Sequence, residues 1–272
     1  MQTPIGVFDS GYGGLTILKE IATRLPQYDY IYLGDNARAP YGTRSFETVY
    51  HYTLECVQWF FDQGCPLVIL ACNTASAKAL RTIQQNDLSK IAPDKRVLGI
   101  VRPTCEIIGN YSHTKNVGIL ATTGTVLSES YVIEINKFFP DIKVFQEACP
   151  MWVPLVENNE IDNPGAKYFV KKNIEEVLRK EKNIDTVLLA CTHYPLLLKQ
   201  INEYMPVDIQ VVTQGKIVAH SLADYLDRHP EMQERISQNN KIAFYTTDDT
   251  DNFNRHAALF YGSEATASHI EI

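Results

Sequence analysis

LVILACNTAS (67–76) and VLLACTHYPL (187–196) are one phrase written twice: an unbroken aliphatic run that ends in Ala-Cys followed by Asn-Thr or Thr-His. A run without polar alternation reads as a strand buried on both faces, the condition of a strand inside a parallel sheet covered by helices. The short polar residues that follow read as the turn from that strand into a helix. A second pair behaves the same way, GVFDSGYGG (6–14) against GILATTGTV (118–126). One pair recurs 120 residues on and the other 112, in the same order, so the chain reads as an internal duplication of one β-α unit set. The competing account is that buried strands resemble one another by composition alone.

Outward from these phrases, strands are expected at 5–8, 30–34, 67–71, 97–101, 117–121, 143–147, 186–190, 209–212 and 242–245. Helical patterns fill 45–63, 74–85, 128–138, 166–180 and 217–227. Strands alternating with helices mark an α/β protein with parallel sheets. The expected fold is α/β, two similar parallel-sheet domains related by duplication, with the active site in the cleft between them. Ligands in such sheets sit beyond the carboxyl ends of the strands. That rule singles out Asp9-Ser10-Gly11, Asp35-Asn36, Cys72-Asn73-Thr74, Arg102-Pro103-Thr104, Thr122-Thr123-Gly124, Glu147 and Cys191-Thr192-His193.

The bulk properties narrow the function. With 272 residues, 45% hydrophobic and 21% charged, the chain is an ordinary globular protein long enough for one large or two medium domains. A net charge of −7 argues against nucleic acid as a partner, because binding it needs a cationic face. No apolar run approaches the roughly 18 residues of a membrane span, so no membrane partner is expected. The start, MQTPIGVFDSG, has no basic leader region. The six cysteines include no C-x-x-C pair and are too sparse for a disulfide framework, which gives a cytoplasmic expectation with free thiols. The lone C-x-H spacing of Cys191 and His193 is a poor zinc signature, so no metal is expected.

Cys56, Cys65, Cys105 and Cys149 read as inert small hydrophobes. The repeated context sets Cys72 and Cys191 apart. Each follows a strand and precedes a helix or turn, where the backbone dipole favours thiolate. Two thiols on opposite sides of a cleft suit inversion of a carbon centre: a thiolate removes a proton from one face while a thiol delivers one to the other. Asp9 could attend Cys72, and Glu147 and His193 could both attend Cys191. The Gly-rich turn DSGYGGL (9–15) is neither G-x-G-x-x-G nor a P-loop; its N–H groups are candidates for holding a carboxylate. A cysteine hydrolase with Cys191 as nucleophile and His193 as base is the alternative enzyme, but it leaves Cys72 idle. A metal or redox module is a third class.

GVFDSGYGGL, LGDNARAPYGTRS (33–45), LACNTASA (70–77), GIVRPT (99–104), CPMWVPLVE (149–157) and LLACTHYPLL (188–197) together resemble the glutamate racemase family, in order and across residues 5 to about 200. The resemblance implies cofactor-independent interconversion of L- and D-glutamate that supplies D-glutamate for cell-wall peptidoglycan. It implies catalytic cysteines at Cys72 and Cys191, assisting groups at Asp9, Glu147 and His193, and substrate contacts at Asp9, Ser10, Tyr41, Gly42, Asn73, Thr74, Thr192 and His193. Family members are often dimers, so a homodimer is expected. The family's fold has a C-terminal segment returning to the first domain, which puts 1–95 with 207–272 and leaves 96–206 as the second domain. A relative acting on aspartate is disfavoured, since such relatives tend to carry Glu where His193 stands. The chain departs from the family's usual pattern at Ala190, where Gly is frequent, and at Val212-Thr213-Gln214-Gly215, where Asp-Ser is frequent.

Overall fold

The computed structural model describes residues 2–272. Its strands are β1 (Ile5–Asp9), β2 (Tyr30–Gly34), β3 (Leu67–Leu70), β4 (Arg96–Gly99), β5 (Asn116–Ala121), β6 (Lys143–Ala148), β7 (Thr186–Ala190), β8 (Gln210–Val212), β9 (Ile242–Thr246) and β10 (Ala267–His269). They form a six-stranded sheet in the order β10-β9-β2-β1-β3-β4 and a four-stranded sheet in the order β6-β5-β7-β8. Every strand pairing is parallel. β1, β2, β3 and β7 are buried at every position, as their unbroken apolar runs require once helices cover both faces.

The duplication is visible in the connectivity. β1 to β4 lie in the order 2-1-3-4, and β5 to β8 repeat it as 6-5-7-8. In each set the chain leaves the central strand in one direction and returns on the other side, so the two strands with diverging connections, β1 with β3 and β5 with β7, open a crevice beyond their carboxyl ends. Cys72 follows β3 and Cys191 follows β7.

Local sequence sets the helices. Ser45 accepts the Thr48 N–H at 3.1 Å and starts the helix Phe46–Asp62. Asn163 accepts the Ala166 N–H at 2.7 Å before a proline-led helix, Pro164–Lys180. Asp249 accepts the Asn252 N–H at 2.6 Å and opens Thr250–Tyr261, which Gly262 ends at φ 85°. These are the cap chemistries expected of Ser, Asn, Asp and Gly.

Two sequence-based boundaries shift by one strand. Arg96–Gly99, expected to open the second domain, pairs with β3 as β4 of the six-stranded sheet. The residues 209–212, expected to return to the first domain, instead supply β8 of the four-stranded sheet. The chain therefore crosses between sheets after Gly99 and again after Val212. The sequence expectation missed β10, three residues that extend the edge beyond β9.

Candidate active site

Both repeated phrases end at one small cavity. Ser10, Tyr41, Gly42, Cys72, Asn73 and Thr74 line it from the six-stranded side, and Thr122, Val153, Glu157, Cys191, Thr192 and His193 from the four-stranded side. Cys72 and Cys191, each 6% exposed, thus face a common space from different sheets. A larger cavity opens where Gln84, Leu98, Arg102, Tyr225 and His229 meet. Its walls hold no thiol, so acid–base or nucleophilic chemistry at sulfur belongs to the smaller one. Among the described residues, no three His, Cys, Asp or Glu side chains converge in a way that could hold a metal ion.

Cys72 is the residue that caps the helix Asn73–Lys78, and its Sγ accepts the Ala75 N–H at 3.4 Å. Ser10 Oγ lies 3.5 Å from the same sulfur. These contacts favour thiolate, yet burial first and the Asp9 carboxylate second outweigh them, and the thiol is pushed up to about 12. The dipole of a six-residue helix is a weaker influence here than desolvation. Cys72 therefore keeps its proton at neutral pH.

Asp9 lies behind the cavity wall, 1% exposed, with Oδ1 accepting the Gly11 N–H at 2.9 Å. Its Oδ2 is buried and finds no hydrogen-bond partner in the protein. Burial raises its carboxyl above the ordinary range, and His193 acts in the opposite direction. The turn it anchors is held by Tyr32, whose hydroxyl donates to Gly11 O at 2.9 Å.

The other thiol has different company. His193 Nδ1 stands 3.9 Å from Cys191 Sγ, and His193 Nε2 stands 2.9 Å from Glu157 Oε1. Burial alone would lower the imidazole, but its bonds to Cys191 and Glu157 carry it up to about 10. Glu157 ends the short helix Trp152–Glu157, and its carbonyl is fixed 2.8 Å from His256 Nε2. His256 in turn stacks on Tyr12 at 4.3 Å, tying the Gly-rich turn to the same corner.

Glu147, expected beside Cys191, is not at the cavity. It sits on β6, paired with Lys180 Nζ at 2.8 Å and near Asn173 Nδ2 at 3.3 Å, both on the helix Pro164–Lys180. The reason is topological. β6 is the edge strand next to β5 and lies outside the β5/β7 crevice. Its counterpart β2 likewise ends off the crevice, at Gly34-Asp35, and sends a loop back carrying Tyr41 and Gly42. The segment after β6 does the same and delivers Val153 and Glu157. Glu157 was thus missed, although it closes the quoted block CPMWVPLVE; the strand-end rule looks one turn too early at an edge strand. Thr122, a strand-end residue outside the expected substrate contacts, lines the cavity with its Oγ1 3.0 Å from Thr74 Oγ1. The four cysteines read as inert, Cys56, Cys65, Cys105 and Cys149, are buried outside the cavity.

Comparison with known proteins gives this geometry a lineage. The sequence profile of the Asp/Glu/Hydantoin racemase family matches residues 10–222. The glutamate racemase of Ruegeria sp. (strain TM1040) is 39% identical over 272 residues, covering 96% of this chain and 98% of the relative. That of Sulfurihydrogenibium sp. (strain YO3AOP1) is 36% identical, covering 97% and 95%. Among solved structures, glutamate racemase isoform RacE1 of Bacillus anthracis superposes with a TM-score of 0.89 at 29% identity, covering 99% of this chain and 98% of that one. The Francisella tularensis glutamate racemase in complex with D-glutamate superposes at 0.86, also 29% identical, covering 99% and 98%. The chain belongs to the Asp/Glu/Hydantoin racemase family and is an isomerase of that family.

Proposed function

We propose that the chain interconverts L- and D-glutamate without a cofactor, by proton transfer between Cys72 and Cys191. The single observation that carries the reading is that the two thiols line one small cavity from opposite sheets. In the L-to-D direction, Cys191 as thiolate takes the α-proton and the Cys72 thiol delivers its own proton to the opposite face. In the D-to-L direction the roles exchange, which conserves protons over a turnover and consumes no oxidant or reductant. A Cys72 thiol pushed up to about 12 is already charged with the proton that L-glutamate needs. His193, held by Glu157, is the group beside Cys191 that holds or passes its proton.

Asp9 assists on the Cys72 side, and Glu157 takes the assisting place first given to Glu147. Ser10, Tyr41, Gly42, Asn73, Thr74 and Thr192 hold the substrate's charged ends. At about 1.4 kcal/mol per pKa unit, ionising an ordinary thiol at neutral pH costs about 2 kcal/mol and the Cys72 thiol about 7 kcal/mol, against the ~8–23 kcal/mol that enzymes remove. Placement between the sulfurs and stabilisation of charge on the carboxylate supply the barrier reduction. The reading extends to a cytoplasmic homodimer that supplies D-glutamate for peptidoglycan.

The test is racemisation of each enantiomer in deuterated water, followed by circular dichroism and mass spectrometry. Each inverted molecule is expected to carry one solvent deuteron at the α-carbon. Inversion that kept the original hydrogen, or faster turnover of aspartate, would overturn the mechanism or the substrate respectively.

A further inference from the structure

Asn73 follows the Cys72 thiol and lines the cavity, yet most of its amide is committed elsewhere. Tyr131 hydroxyl donates to Asn73 Oδ1 at 2.5 Å, and Asn73 Nδ2 donates to Gln214 Oε1 at 2.8 Å. Gln214 Nε2 closes the ring on Tyr131 Oη at 2.7 Å and reaches Thr104 Oγ1 at 2.9 Å. Asn73, Gln214, Tyr131 and Thr104 are all buried, Gln214 at 3% exposure.

The direction of every bond in this ring is fixed from one end. Thr104 Oγ1 spends its hydrogen on Ile100 O at 3.1 Å, so toward Gln214 it can only accept. Ile100 O also lies 3.3 Å from the same Gln214 atom, which must therefore be the NH2 nitrogen. Gln214 then presents Oε1 to Asn73, which must answer with Nδ2. Asn73 Oδ1 accepts from Tyr131, and Tyr131 accepts from Gln214. Of the Asn73 amide, one N–H remains uncommitted. The ring thus makes Asn73 a hydrogen-bond donor at the cavity wall and denies the opposite flip, which would turn a carbonyl oxygen toward an anionic substrate.

The partners also come from the two places where the chain crosses between sheets. Ile100 and Thr104 lie just after β4, Gln214 just after β8, and Tyr131 on the helix Ser130–Phe138. We propose that Gln214 is a positioning residue: it orients the Asn73 amide as a donor to the substrate carboxylate and ties that orientation to both crossings. This rests on the reading that Asn73 holds substrate.

The experiment measures steady-state racemisation of both glutamate enantiomers by the full chain and by Gln214→Leu, Gln214→Glu, Asn73→Ala and the Gln214→Leu/Asn73→Ala double variant. Gln214→Glu fills the same space but cannot donate when ionised, and Tyr131→Phe breaks the ring at another member. A donor used equally in ground and transition states shows in KM. KM is expected to rise about tenfold in Gln214→Leu and Tyr131→Phe, and by less in Gln214→Glu, whose carboxylate still accepts the Asn73 N–H, with kcat within about threefold. In the Asn73→Ala background, Gln214→Leu is expected to raise KM no further. Unchanged KM, a loss confined to kcat or to the folded fraction, or additive effects in the double variant would overturn the proposal. If the unaltered chain racemises neither enantiomer, the proposed function fails. The ring is then judged by hydrogen exchange of the Asn73 side-chain amide, which must be faster in Gln214→Leu, where its acceptor is lost, than in the unaltered chain; equal rates would overturn it.

Discussion

Gly13 packs against the other half of the site with no room for a side chain. A Cβ at this position would stand 2.2 Å from Thr192 Oγ1 and 2.4 Å from His193 Nδ1, where ordinary contact begins at 3.4 Å. Gly13→Ala therefore demands a displacement of roughly 1 Å. The Gly13 side cannot yield easily. Gly13 O accepts the Thr16 N–H at 3.0 Å, and Thr16 Oγ1 lies 2.8 Å from Gly13 O and 3.0 Å from Thr192 O, clamping one segment to the other. The His193 side moves instead, and with it the 2.9 Å contact to Glu157 and the 3.9 Å approach to Cys191.

A misplacement of about 1 Å in a positioned catalytic group costs on the order of 10²-fold in rate, and overpacking costs about 1–3 kcal/mol of stability. Gly13→Ala is expected to lose about a hundredfold in kcat/KM, read by circular dichroism of glutamate racemisation, and to unfold at lower urea. Gly11→Ala is the comparison. Its Cβ would meet nothing nearer than 3.6 Å, so a loss below about tenfold is expected despite its place in the same turn. If Gly13→Ala kept kcat/KM within about threefold at unaltered stability, the claim that this contact sets the His193 position would be wrong.

Three further outcomes follow from the site. Glu157→Gln should lower kcat/KM at least about tenfold, whereas Glu147→Gln should leave it within about twofold and cost no more than about 1 kcal/mol through its half-exposed Lys180 pair; the reverse ranking would reinstate Glu147. His193 is raised to about 10 from an ordinary 6.5, so its contribution to stability is complete below pH 6.5 and is lost as pH rises toward 10. Urea unfolding should lose about 2 kcal/mol between pH 6.5 and 8.5, a slope that His193→Gln should flatten; equal slopes would refute the pairing. Cys72→Ser and Cys191→Ser should each lower racemisation by about 10²–10⁴-fold, with Cys72→Ser still exchanging the α-hydrogen of L-glutamate for deuterium. A Cys72→Ser enzyme with unimpaired racemisation would refute transfer between two thiols.

How far the sequence could be read depends on which interaction places each residue. Unbroken runs such as Val68-Ile69-Leu70 and Leu188-Leu189-Ala190 are legible because burial on both faces dictates composition directly. Cys72 and Cys191 were legible for the same reason, since each is the next residue after such a strand or its final Ala. The pairing of Arg96–Gly99 with β3 was not legible. A short strand carries no mark of which sheet it joins, and the crossing after Gly99 lacks a Gly/Pro-rich linker. Glu157 was hidden because its place depends on the length of the segment after an edge strand. Gln214 looked only like a departure from the family's pattern; its meaning required the buried amides of Asn73 and Gln214 to be seen head to tail.

The duplicated connectivity explains why the thiols face one another, and its divergence explains why they are not alike. At equivalent strand ends, β1 ends in Asp9 where β5 ends in Ala121, and the loop after β2 supplies Tyr41 where the segment after β6 supplies Glu157. One half therefore sets a buried carboxyl beneath its thiol and the other sets an imidazole–carboxylate pair beside its own. Two enantiomers have equal free energy in water, so under the proposed reaction the ratio of kcat/KM in the two directions is one whatever the thiols' surroundings. Unequal partners can then appear only in how each direction divides between kcat and KM, and in which thiol holds the proton in the empty site. Burial around Cys72, deepened by Asp9, keeps that proton on Cys72. The bonded His193–Glu157 pair keeps a second proton next to Cys191. Evolution of one half away from the other thus retained the opposed geometry, which inversion requires, while freeing the electrostatics, which thermodynamics leaves unconstrained.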